Sequence, residues 1–263
     1  MNEQIIATYS ATWHLYPFLP AAYMSFLEHH PNAQVFVFIN DEKLPYDTPE
    51  NVEVVDCRKQ KFFNADNCVN WGTGFQSLTL MRGTYAKLFT GKPNKYGIRT
   101  LPYVDKIFQL DVDTYILENL MPIWSLDMTG HWFAATQEYL SVNKPRPRYW
   151  NLGFALFSLD AIRRYGIDDR VIDDLRKIKY PWIDQDAFCK MGDEHPEKVY
   201  DLGVRYNECS QTGWADGRPP AVVHLCAQGP EKFTRDSVPR IEQIQKYRQY
   251  YEIERCRRAG IFV

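Results

Sequence analysis

The chain has 263 residues, with 31 lysines and arginines against 33 aspartates and glutamates, a formal net charge of −2 that excludes a generic polyanion binder. At 45% hydrophobic and 24% charged residues it has the composition of a folded domain and not of a disordered chain. No stretch reaches the roughly 18 apolar residues of a membrane span, and the amino terminus lacks a basic run followed by an apolar one, so a soluble, cytoplasmic protein is expected.

In chain order, apolar patterning predicts a strand over Gln4–Tyr9, a helix over Pro20–His29 and a strand over Gln34–Ile39, the start of a βαβ unit. The adjacent His29-His30 at the helix end reads as a solvated pair and not a metal site. A short strand is expected at Val52–Val55. Phe75, Leu78, Met81, Tyr85 and Leu88 then recur at helical spacing. Further strands are expected at Val104–Leu110, Trp132–Thr136, Gly153–Ser158 and Ala221–Leu225, with helices over Leu159–Tyr165, Ile167–Ile178 and Asp184–Met191. This alternation predicts an α/β fold: one Rossmann-like, mixed but mostly parallel sheet with helices on both faces. Six cysteines are widely spread without a C-x-x-C pair, which reads as reduced thiols.

The chain from Pro239 onward changes character. Ile241, Ile244, Tyr247 and Tyr251 form a stripe beside Arg240, Lys246, Arg248, Arg255, Arg257 and Arg258. Residues 240–263 are therefore separated from a domain over 1–239 as a basic, aromatic helix or tail, able to rest on an anionic membrane surface, hold an anionic acceptor or pack on the domain.

Phe108-Gln109-Leu110-Asp111-Val112-Asp113 places two carboxylates at the end of an apolar strand. Were the extended geometry to continue, Asp111 and Asp113 would share a face, where their mutual repulsion calls for a divalent cation between them. The second Asp-x-Asp, Asp184-Gln185-Asp186, opens a helix, where acids are favoured by the dipole without any function. Asn151 and Gly153 precede an apolar strand. Val222–Phe233 (VVHLCAQGPEKF) sets His224, Gly229 and Lys232 just beyond another, a set suited to a metal and a phosphate.

Taken together and in order, ATYSATW, FQLDVDTYI, YWNLGFALFSLDAIR, WIDQDAF and VVHLCAQGPEKF resemble the successive motifs of family 8 glycosyltransferases, over about Gln4 to Phe233. The resemblance implies a single GT-A domain, a nucleotide-sugar donor, usually a UDP-hexose, and Mn²⁺ or Mg²⁺ held by Asp111, Asp113 and His224. It implies Gly229 and Lys232 at the diphosphate. It also puts Lys87 where the family has an arginine near the donor, and Asn151, Asp184 and Gln185 at the donor sugar, the last two on the reacting face. Trp13 stands in place of a ring that stacks on uracil, and Thr8 begins the stretch in which the family's usual acid is replaced. Lys87 lacks the bidentate fork of arginine, and Gln228 lengthens the spacing between His224, Gly229 and Lys232.

The expectation is a metal-dependent, retaining hexosyltransferase acting on a saccharide or glycolipid of lipopolysaccharide or polysaccharide biosynthesis, with protein and modified DNA as other acceptors. The rivals are a sugar nucleotidyltransferase, for which residues 8–20 lack the expected Gly, Lys or Arg, and a non-catalytic sugar-nucleotide or glycan-binding module.

Overall fold

A computed structural model of the chain describes residues 4–72, 75–141, 144–208, 217–226 and 245–250. Its strands are β1 (Ile6–Ala11), β2 (Gln34–Ile39), β3 (Val52–Asp56), β4 (Lys106–Leu110), β5 (Thr114–Ile116), β6 (Phe133–Ser141), β7 (Lys144–Ser158), β8 (Val199–Asp201) and β9 (Val222–His224). Seven of them form one sheet in the order β3-β2-β1-β4-β7-β6-β8, and β5 pairs with β9 in a small second sheet. The pairs β3-β2, β2-β1, β1-β4 and β6-β8 are parallel, while β7 is antiparallel to both β4 and β6. The helices are α1 (Leu19–His29), α2 (Phe75–Arg82), α3 (Tyr85–Leu88), α4 (Met121–Trp124), α5 (Leu159–Tyr165), α6 (Ile167–Lys177) and α7 (Ile183–Glu194).

This order has a consequence for function. From β1 the chain builds outward through β2 to β3, then returns to place β4 on the other side of β1. Such a reversal opens a crevice at the carboxyl ends of the central strands. Strand β1 is buried throughout, so its polar side chains must find partners inside the sheet. Thr8 donates its hydroxyl to the Phe108 carbonyl (3.1 Å), and Ser10 shares a 2.9 Å hydrogen bond with the Tyr85 hydroxyl.

The expected helix over Phe75–Leu88 is two helices, broken at Gly83 and Thr84. A β-carbon at Gly83 would lie 3.0 Å from both Leu175 and Val171, so α6 packs directly against the break. The Ala221–Leu225 strand exists as β9, but it leaves the main sheet to pair with β5, and β7 extends far upstream of Gly153. Of the expected solvated pair, His30 is buried and its Nε2 accepts the Leu120 N–H (3.0 Å), which makes it a satisfied core histidine. Cys57, Cys68 and Cys189 are buried free thiols, whereas Cys226 is disulfide-bonded, a departure from the expectation of reduced thiols throughout.

In the tail, Gln245–Tyr250 forms a 3₁₀ helix. Tyr247 is buried, stacks on Tyr115 and donates to the Ile116 carbonyl (3.2 Å), and Lys246 pairs with Glu28 of α1 (2.7 Å). Among the described residues no helix is long and apolar enough to cross a membrane.

Candidate active site

Extended geometry ends at Leu110. The Asp111 carbonyl accepts both the Thr114 N–H (3.1 Å) and the Thr114 hydroxyl (2.6 Å), so Asp111–Thr114 is a tight turn at the carboxyl end of β4. The Asp111 N–H meanwhile donates to the Gly153 carbonyl (2.8 Å), which ties the turn to β7. Strand β5 follows at once, and its pairing with β9 sets Thr114 opposite His224. A residue 111 positions further along the chain than Asp113 thereby arrives beside it.

His224 Nε2 lies 3.3 Å from Asp113 Oδ1 and 3.7 Å from Asp111 Oδ2. One ligand atom from each of the three residues falls within 4.8 Å of the others. The protonation of the ring follows from a chain of hydrogen bonds that begins at a backbone group. The Gly153 N–H can only donate, so the Asn151 atom facing it (2.9 Å) is Oδ1. Asn207 donates Nδ2 to that oxygen (2.8 Å), which turns the Asn207 Oδ1 toward His224 Nδ1 (2.9 Å). Nδ1 then carries a proton, which leaves Nε2, the nitrogen facing the carboxylates, as the one available to a metal ion. Two carboxylate oxygens and one imidazole nitrogen form a donor set that fits a divalent cation. Gly153 is required for this packing, since a β-carbon there would lie 2.1 Å from His224 Cε1.

A buried cation closes the other side. Arg82, the last residue of α2, pairs with Asp111 and reaches Asp184 Oδ2 at 3.4 Å. Burial lowers the pKa of the guanidinium, but Asp111 and Asp184 outweigh that effect and hold it charged. Asp184 is itself buried, and burial, with Asp111 repulsion added and Arg82 opposing, leaves its carboxyl pushed up to about 6. Gln185, next in α7, accepts the Leu152 N–H at Oε1 (3.0 Å) and donates from Nε2 to Glu138 (3.1 Å) and the Tyr149 hydroxyl (3.2 Å). Glu138 is held above the ordinary carboxylate range, chiefly by burial.

The structure thus brings together Asp111, Asp113, His224, Asn151, Asp184 and Gln185. It places two residues elsewhere: Lys87 on α3 pairs with Asp168 (3.4 Å) and Asp169 (2.8 Å), and the hydroxyl of Thr8 is spent inside the sheet. Trp13 follows β1 with 49% of its surface exposed and its ring edge-on to His14. Gly229 and Lys232 lie outside the described residues. Sequence reasoning passed over Arg82, Asn207 and Glu138. Arg82 stands only five residues before Lys87, but nothing in the spacing says which of the two helix cations faces the carboxylates; Asn207 and Glu138 fall in no motif.

A mixed sheet whose central strand β4 runs into a carboxylate pair, met there by a histidine from β9, is the architecture of a GT-A glycosyltransferase, built for metal-assisted transfer from a nucleotide sugar. The chain belongs to glycosyl transferase family 8, whose model matches residues 25–229. Among solved structures it is similar to the galactosyltransferase LgtC in complex with donor and acceptor sugar analogs (16% identity, 94% of this chain and 96% of that one, TM-score 0.63). It is also similar to the glycosyltransferase GlyE of Streptococcus pneumoniae (15%, 95% and 60%, TM-score 0.64) and to mouse xyloside xylosyltransferase 1 (15%, 84% and 96%, TM-score 0.57). No curated protein matches the sequence significantly.

Proposed function

We propose that this glycosyltransferase transfers a hexose from a UDP-sugar to a saccharide hydroxyl, depends on Mn²⁺ or Mg²⁺, and retains the α configuration of the donor. The observation that carries the reading is the convergence of His224 Nε2, oriented by the Asn207 hydrogen bond at Nδ1, on Asp111 and Asp113. A divalent cation held there supplies the positive charge that a departing nucleoside diphosphate needs.

The remaining work falls to the chain itself. Arg82 fixes Asp111 and Asp184 relative to each other, so the donor meets a preorganised set of charges. Gln185 has no titratable group near neutral pH. Its carbonyl spends one lone pair on the Leu152 N–H and keeps the other for positive charge developing on the sugar. Retention follows if the acceptor oxygen bonds to the anomeric carbon on the face from which the phosphate oxygen leaves, with the hydroxyl proton passing to that phosphate oxygen. Asp184 then stabilises the sugar electrostatically from beside Gln185. Gly229 and Lys232 are assigned to the diphosphate on the family resemblance, and Trp13, exposed just past β1, to the base.

Two measurements test this. A panel of nucleotide sugars screened for Mn²⁺-dependent hydrolysis is expected to single out a UDP-hexose, and hydrolysis indifferent to EDTA would remove the metal from the reading. Proton NMR of the first-formed transfer product is expected to show the α anomer, and a β product would overturn retention.

A further inference from the structure

An open groove of about 540 Å³ is lined by Tyr149, whose hydroxyl accepts from Gln185, and by Asp186, the next residue of α7. One wall is the start of β7, with Arg146, Arg148 and Tyr149; the other is the turn into α7, with Trp182, followed by Asp186 and Lys190. Three features distinguish it from ordinary surface.

The first is Trp182, 65% exposed, which leaves more of its surface in water than any other large hydrophobic side chain among the described residues. An indole in water gives the fold nothing. The second is the backbone that keeps it there. Ile183 has φ 42° and Arg148 φ 54°, the only two non-glycine residues with positive φ among those described, one on each wall. A β-branched residue in the left-handed region costs of order 1–3 kcal/mol and persists only where its surroundings impose it. At Ile183 that conformation turns Trp182 outward while Ile183 and Asp184 point inward. Asp186 secures the turn by accepting the Trp182 N–H (2.7 Å).

The third feature is continuity with the site of transfer. The guanidinium of Arg146 lies over the Tyr149 ring, 3.5 Å from its centroid, and the hydroxyl of that same tyrosine touches both Asp186 (2.5 Å) and Gln185 (3.2 Å). Arg148 and Lys190 pair with Asp193 and Asp174, whereas Arg146 lies close enough to Glu138 for its charge to stabilise that carboxylate. Its guanidinium is held against the Tyr149 ring at the wall of the groove. A flat exposed ring beside fixed hydrogen-bond donors suits a pyranose, whose C–H face stacks on an aromatic surface while its hydroxyls take up directional donors.

We propose that this groove binds the acceptor as a saccharide of at least two rings, the reacting ring at the Gln185–Tyr149 end and the next ring stacked on Trp182 and held by Arg146. The inference rests on the glycosyltransferase reading and names its acceptor class.

The test uses the full chain with UDP and Mn²⁺, and compares methyl glycosides of galactose, glucose and N-acetylglucosamine with lactose, maltose and chitobiose by saturation-transfer NMR and by KM in transfer. At least one disaccharide is expected to bind about five- to tenfold more tightly than its monosaccharide. Trp182→Ala and Arg146→Ala should close that gap through KM, and Trp182→Phe should keep most of it. Tyr165→Ala, which removes an exposed ring outside the groove, is the control and should leave the gap intact. Melting temperatures are expected to stay close to wild type because Trp182 is exposed. Equal binding of mono- and disaccharides across the panel, no binding of any disaccharide, or a gap that survives Trp182→Ala would overturn the proposal. Wild-type donor hydrolysis separates the two readings: hydrolysis without any dependence on acceptor length sinks the groove alone, and absent hydrolysis sinks the transferase chemistry.

Discussion

Asp111-Val112-Asp113 and Asp184-Gln185-Asp186 share one spacing and lie near each other in the fold, yet their carboxylates behave differently. In the first segment both acids converge on His224 Nε2. In the second they part: Asp184 turns inward to Arg82, while Asp186 accepts the Trp182 N–H and the Tyr149 hydroxyl on the side of the groove. The difference comes from the elements that carry them. A turn at the end of β4 can fold two acids back toward one point, whereas positions i and i+2 on a helix lie more than half a turn apart and cannot face each other. Spacing alone does not make a metal site; the backbone between the two acids does.

The comparison is broken most sharply by removing one charge from each segment. Asp113→Asn should abolish Mn²⁺ binding measured by calorimetry, since a hard cation loses a charged oxygen ligand, while Asp186→Asn should leave Mn²⁺ affinity in place. Equal losses in the two variants would mean that the two segments act as one metal site.

A smaller effect is expected one step behind the ligands. Asn207→Ala removes the acceptor that holds the proton on Nδ1 of His224, and a loss of about 10–100-fold in Mn²⁺ affinity should follow, with the fold retained. The histidine ¹⁵N chemical shifts give an independent readout, because the tautomer locked in the wild type should become a mixture. A single unchanged tautomer in the variant would show that something other than Asn207 sets it.

Much of this arrangement was legible in the sequence, and the part that was not has a physical reason. Asp111, Asp113 and His224 each stand at or just beyond the end of a short apolar run, which marks a buried strand, while the polar residue marks its end. The partner of those acids was not legible. Lys87 and Arg82 lie five residues apart on what looks like one helix, and only the break at Gly83, imposed by packing against α6, sends Lys87 to Asp168 and leaves Arg82 facing the carboxylates. Thr8 was similarly opaque, because a threonine in a strand reads the same whether its hydroxyl faces a ligand or a neighbouring carbonyl. Strands of three residues, such as β5 and β8, carry too few positions to show a period at all.

The smallest expected effect concerns the inward acid of the second segment, and it sharpens the contrast by pH. Asp184 is raised from about 3.9 in an unfolded chain to about 6 in the fold, first by burial. The folded state therefore binds this proton more tightly than the unfolded state does. The stabilising contribution is complete below the unfolded value and is lost as pH rises through about 6, because ionised Asp184 must stay buried. In metal-free protein, the wild type should thus lose stability between pH 4 and 6 relative to Asp184→Asn, with a limiting difference in slope of about 1.4 kcal/mol per pH unit. The absolute stability of the variant is a separate matter, since Arg82 would keep only Asp111 as a charged partner; the slope isolates the titration. Urea unfolding at half-unit steps of pH in EDTA measures it. Parallel curves for the two proteins would mean that Arg82 fully offsets the burial of Asp184, and the inward acid would then titrate in the fold as it does in the unfolded chain.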